Sequence, residues 1–223
     1  ATDLSGVKVS VKPRVGYPED SCKTIAVFNG NTLTNVPNNR DAYNMDHIFE
    51  QAYPVSNWGT KFAITSSLGW DYTGGCHDYQ DVEYIRITAA EATALTFGGT
   101  VYPEGGDNSI TTDNLIAGQT KTYRLHRTNG VSCYIESTKP VACYLYQRSG
   151  CSISGPNGDP SMIWMAPIER GIEKITFSTF AATDIDNANH YVNIVIPADA
   201  LDIRTSGRDD SKTVWLGDRD ITR

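Results

Sequence analysis

The chain has 223 residues, of which 39% are hydrophobic and 20% charged, and it carries a net charge of −7 at pH 7. That length and balance suffice for a buried core and exclude a disordered chain. The acidic excess argues against nucleic acid or an anionic membrane as partner, and no window approaches the ~18 continuous apolar residues of a membrane span.

Taken in order, short alternating runs recur: VKVSV (7–11), IAVF (25–28), KFAIT (61–65), EYIRIT (83–88), KTYRLH (121–126), SCYIES (132–137), VACYLY (141–146), SMIWM (161–165), KITFST (174–179) and YVNIVI (191–196). Between them lie turn-forming clusters such as NGN, VPNN, PEGGDN, GPNGDP and DIDNAN. Period-two alternation broken by Gly, Pro, Asn and Asp predicts an all-β chain, a β-sandwich of antiparallel strands with little or no helix. The best helical stretch, AAEATAL at 89–95, is short and reads as a turn between strands.

The chain also repeats itself. Lys12-Pro13 and IAVFNG lead to DHIFEQAYPVSNWGTKFAIT, while Lys139-Pro140 and VACYLYQRSG lead to GDPSMIWMAPIERGIEKITFS. Asp46 lies eight residues before Pro54, and Asp159 lies eight before Pro167; Gly59 and Gly171 follow. Further on, YIRITAAEATALTFGG from Tyr84 is echoed by YVNIVIPADALDIRTSG from Tyr191. The period is roughly 110 to 125 residues, and the expected organisation is one all-β module of two pseudo-repeated antiparallel units. Residues 1–61 read as the end of one unit, 62–167 as a full unit and 168–223 as the start of a further one.

The residues SGVKVSVKP, IAVFNGN, DHIFEQAYPVSNWGTKF, IESTKPVACYLYQ, GDPSMIWMAPIE and NHYVNIVIP resemble the IgGFc-binding N-terminal domain family, named after a mucus protein that binds the Fc part of immunoglobulin G. The resemblance runs from about residue 4 to residue 207. Its most specific pieces are Asp46, His47, Pro54, Trp58 and Gly59, the run GDPSM at 158–162, and NHYVNIV. It implies an extracellular or cell-surface protein, and adhesion or mucus-matrix work more strongly than antibody binding. Two departures stand out. Eleven residues, 14–24, separate Lys12-Pro13 from its strand. Thr32 to Thr34 and Met45 occupy the two places where family members often carry cysteines, so that crosslink is missing, and Cys22 and Cys76 are the candidates to compensate.

Five cysteines, Cys22, Cys76, Cys133, Cys143 and Cys151, lack the CxxC spacing of a zinc site and point to an oxidising compartment. The odd count leaves one thiol free or bonded to another chain. A hairpin centred on Thr138 would set Cys133 opposite Cys143; Cys143 with Cys151 competes, and both thiols left reduced is a third case. Ala1 opens in polar, strand-like sequence without a leader's apolar core, as a mature exported chain would.

No catalytic signature stands out, and an enzyme is not expected. His47, His77, His126 and His190 are dispersed, and GCSIS at 150–154 lacks the closing glycine and the strand-to-helix elbow of a nucleophile motif. No cofactor is expected. Asp184 and Asp186 are weak calcium candidates without EF-hand spacing. Trp70, Tyr72, Asp78 and Tyr79 gather flat rings and carboxylates in a loop-like stretch suited to protein or carbohydrate recognition. The expectation is therefore a non-enzymatic extracellular adhesion or matrix domain that binds protein or glycan. A carbohydrate-binding module is the first alternative and a subunit assembling with copies of itself the second. Loops 69–80 and 150–159 are the expected places for partner contacts.

Overall fold

The computed structural model describes residues 3–37, 45–65, 81–126, 132–149, 159–172, 175, 194–195, 202–204, 213–216 and 219–221. Two compact units emerge, Ala1–Ala188 and Asn189–Arg223. In the second, β10 (Asp202–Arg204), β11 (Thr213–Leu216) and β12 (Arg219–Ile221) form an antiparallel meander.

The first unit is antiparallel β throughout its described residues, with three short 3-10 turns at Pro18–Cys22, Val55–Asn57 and Ile168–Arg170. β1 (Val27–Thr34) and β2 (Asp46–Ala52) pair into a ribbon. A larger sheet holds β3 (Gly59–Thr65), β4 (Asp81–Ala89), β5 (Thr93–Pro103), β6 (Ile110–Leu115), β7 (Thr120–His126), β8 (Ser132–Gln147) and β9 (Ser161–Trp164). The stretch AAEATAL is a bend leading into β5, as its flanking alternation suggests.

β8 organises this sheet. Its first half, through Ser137, lies between β3 and β5, and its second half, from Val141, lies between β4 and β9. The expected hairpin at Thr138 does not form: the strand turns a corner and continues. Thr138, Lys139 and Pro140 are the residues of β8 without a ladder partner, so the missing N–H of Pro140 costs no strand bond. The corner is held instead by side chains. Lys139 N–H donates to Thr93 Oγ1 at 3.0 Å, and Ala94 N–H donates to Thr138 Oγ1 at 3.0 Å.

β5 bends as well. Its first half pairs with β8 and its end, Val101–Pro103 in the ladder, with β7. The bend falls at Gly99, whose φ of +89° suits only glycine. β8, β5, β7 and β4 thereby close on one another, giving a sandwich whose two layers share strands at the corners. Phe62, Ile85, Ile87, Leu95, Phe97 and Ile135 fill the space between, each contributing about 1.5–3 kcal/mol by burial.

Candidate functional site

The loop residues singled out by sequence, Trp70, Tyr72, Asp78 and Tyr79, lie outside the described residues, as do Cys76, Cys151, Asp184, Asp186 and the side chain of Cys22. Cys133 and Cys143 are described, and both are free thiols in the core. Because β8 runs on past Thr138, no hairpin sets them opposite each other, and the disulfide expectation for this pair gives way to the reduced alternative. Burial pushes the Cys133 thiol up to about 12 and holds the Cys143 thiol well above its ordinary value, with Cys133 adding to the latter. Neither is poised as a nucleophile.

The surface feature that does emerge is the β1–β2 ribbon. Register places Phe28 opposite Gln51 and Gly30 opposite Phe49, so both phenylalanines share one face. Their rings stack 3° from parallel at 5.4 Å and remain 53% and 65% exposed. The other face, with the buried Ile48, is turned toward β9. A side chain at Gly30 would collide with the Ile48 carbonyl, so glycine is what lets the two strands approach here.

Beside the ribbon, Trp164 stacks on Tyr53 at 5.0 Å and meets the edge of Tyr144 at 5.3 Å. Burial, with Tyr146, Glu50 and Tyr53 nearby, pushes the Tyr144 phenol up to about 12. It stays protonated at neutral pH, a stacking and hydrogen-bonding group rather than an acid or base. Among the described residues no group of three or more His, Cys, Asp and Glu side chains could hold a metal.

The residues that carry the family resemblance lie at strand ends and turns. Asp46 Oδ1 accepts the His47 backbone N–H at 2.6 Å and lies 2.7 Å from its ring Nδ1. Pro54 starts the Val55–Asn57 turn, and Pro167 starts its counterpart at Ile168–Arg170. The Trp58 indole donates to the Tyr53 carbonyl at 3.1 Å. Gly59 lies directly under Pro167, where no larger residue fits. Glu169 then receives the N–H groups of Thr60 at 2.8 Å and Lys61 at 3.3 Å, which fastens the second motif copy to the strand that follows the first. Burial would raise the Glu169 carboxyl, yet the Thr60 hydroxyl and three backbone N–H groups keep it below its ordinary value.

The described structure is thus a β-sandwich with a glycine-set bend at Gly99 and a side-chain-held corner at Thr138, carrying a ribbon on which Phe28 and Phe49 are exposed. The chain matches the family model described as IgGFc binding protein over residues 1–218 and belongs to that family of binding domains, which are typically extracellular. No curated protein and no solved structure matches it. None of its described helices is long and apolar enough to cross a membrane.

Sequence reasoning missed Phe28 and Phe49. IAVF reads like VACYLY, a strand bound for a core, and nothing local tells that the first is left open. The usable signal was FNG facing HIFE, a glycine opposite an aromatic across an antiparallel pair.

Proposed function

We propose that the chain is a non-enzymatic extracellular adhesion or matrix domain that works by contacting other proteins. The family match across residues 1–218 carries this reading, and the solvent-facing Phe28–Phe49 pair supplies a surface of the kind that anchors protein contacts. No cofactor takes part, so binding should survive a chelator; loss of binding in EDTA would bring Asp184 and Asp186 back as calcium ligands.

The test is biolayer interferometry of the purified chain against an immunoglobulin G Fc fragment and a panel of matrix proteins, alongside a glycan array. Saturable binding to a protein, weakened roughly tenfold or more in a Phe28→Ala, Phe49→Ala variant of unchanged melting temperature, is expected. Binding to glycans alone, lost in Trp70→Ala, would replace this reading with a carbohydrate-binding module.

A further inference from the structure

On β4, Ile85 and Ile87 enter the core, and the strand's alternation turns Arg86 between them to the outer face of the sheet. The ladders set Arg86 between Tyr144 of β8 and Thr122 of β7, and Trp164 of β9 stands opposite Tyr144 one strand further on. Tyr146 lies within hydrogen-bonding reach of the guanidinium. A cation partly covered by rings in this way is poorly hydrated, which strengthens its attraction for an anion.

The anion it holds belongs to the chain itself. Arg86 Nη2 donates to Asp3 Oδ2 at 2.7 Å, and the two side chains are 28% and 63% exposed. The fit is incomplete on both sides. Asp3 Oδ1 is committed elsewhere, accepting the Ser5 N–H at 2.9 Å and the Ser5 hydroxyl at 2.6 Å. Asp3 therefore meets the guanidinium through one oxygen. On the guanidinium, Nε shares an edge with Nη2, yet it is closed to solvent and has no hydrogen-bond partner among the described residues. A carboxylate laid side-on would engage both nitrogens of that edge.

Little else holds Asp3 in place. Leu4, Val7 and Val9 are 73%, 64% and 58% exposed, so these side chains give the segment no apolar anchor. Its backbone approaches the sandwich closely at Gly6, where a Cβ would collide with the Gly118 carbonyl. An ion pair with so exposed a partner is weak, and a better-seated carboxylate can displace it.

We propose that Arg86 is a carboxylate-binding site with Asp3 as its resident occupant, and that an aspartate on an acidic segment of a partner protein takes the place of Asp3. The occupant in the structure is an aspartate side chain on an exposed main chain, and the same chemistry presented by another protein competes for the same edge. While Asp3 is seated, the site is closed for that fraction of the time, which lowers the apparent affinity for any competitor. The contact is separate from the Phe28–Phe49 face, and its failure leaves the reading of that face untouched.

The test is a two-dimensional NMR titration of the full, isotope-labelled chain, following the Arg86 Nε–H resonance, which is assigned by its absence from Arg86→Lys. The probe is the peptide TDLSGVK, residues 2–8, added to the wild type and to Asp3→Ala, with circular dichroism confirming that both are folded. Saturable movement of the resonance is expected in Asp3→Ala, with an affinity roughly threefold or more above that of the wild type. The control peptide TNLSGVK, which lacks the carboxylate, is expected to leave the resonance in place. A resonance that TDLSGVK does not move, equal affinity in the two chains, or equal response to TNLSGVK would each overturn the proposal. Glucuronate that binds more tightly than the peptide would overturn it as well, in favour of an acidic sugar as the ligand.

Discussion

Gly99 shows how much a single residue decides in this fold. Its φ of +89° lets β5 leave β8 and join β7, and a Cβ there would meet the Ser132 carbonyl oxygen at 2.7 Å. Gly99→Ala combines a left-handed backbone with a backbone clash and is expected to cost about 2 kcal/mol or more. Urea unfolding followed by fluorescence reads this as a lower midpoint, and an unchanged midpoint would mean that the bend is not required. Tyr123 illustrates the opposite case, a polar atom that the core accepts. Its ring is wholly buried against Phe97 at 4.9 Å, while its hydroxyl reaches out to Asp113 Oδ2 at 2.9 Å. Burial first, then Asp113, pushes that phenol far above its ordinary value, so it remains a donor at every physiological pH.

At the scale of elements, the corner of β8 separates what a proline signals from what it does. Ser137, Thr138 and Pro140 are turn chemistry, and a hairpin was the natural reading. In the fold this stretch marks the place where the strand changes neighbours, at Thr138, Lys139 and Pro140. Thr93, almost fully buried, accepts the Lys139 N–H and lies 3.2 Å from the Thr138 hydroxyl. Thr93→Val leaves both without that partner and is expected to cost about 1–2 kcal/mol in urea unfolding at unchanged m-value. Pro140→Ala, at an exposed position with no ladder bond to gain or lose, should move the midpoint by less than about 0.5 kcal/mol. A Pro140→Ala cost equal to that of Thr93→Val would show that the ring, not the hydroxyls, sets the corner. Strand positions were legible because alternation is local: EYIRIT, KTYRLH and VACYLY each fall inside a paired strand. Whether a strand is buried was not legible. Ile25 and Val141 look alike in sequence, and the difference between them is β4, which lies far along the chain from both. The candidate site suffered for the same reason, since nothing local in IAVF or HIFE tells that Phe28 and Phe49 stay exposed.

For the molecule as a whole, acid is the informative perturbation, because its carboxylates tie distant segments together. Asp3 accepts from Ser5 and, at 2.7 Å, from Arg86 on β4, so the segment before β1 is pinned to the sandwich. The Ser5 hydroxyl first, and then Arg86, hold the Asp3 carboxyl at about 2. Asp113 is also lowered: burial opposes the charge, but Lys121, the Asn114 N–H and Tyr123 outweigh it. A carboxyl whose folded pKa lies below its unfolded value near ~4 binds protons more readily in the unfolded chain. Its contribution is therefore complete above about pH 4 and disappears as pH falls toward about 2. Asparagine mimics the protonated acid, so Asp3→Asn is expected to melt below the wild type at neutral pH and to converge with it at the acid end. The same convergence is expected for Asp113→Asn. Growing positive charge on the rest of the chain acts equally on all three proteins and cancels in the comparison. Thermal unfolding followed by circular dichroism across this range decides the matter: curves that stay parallel would show that neither carboxylate draws stability from its partners, and that the N-terminal segment is held by something other than the Asp3–Arg86 pair.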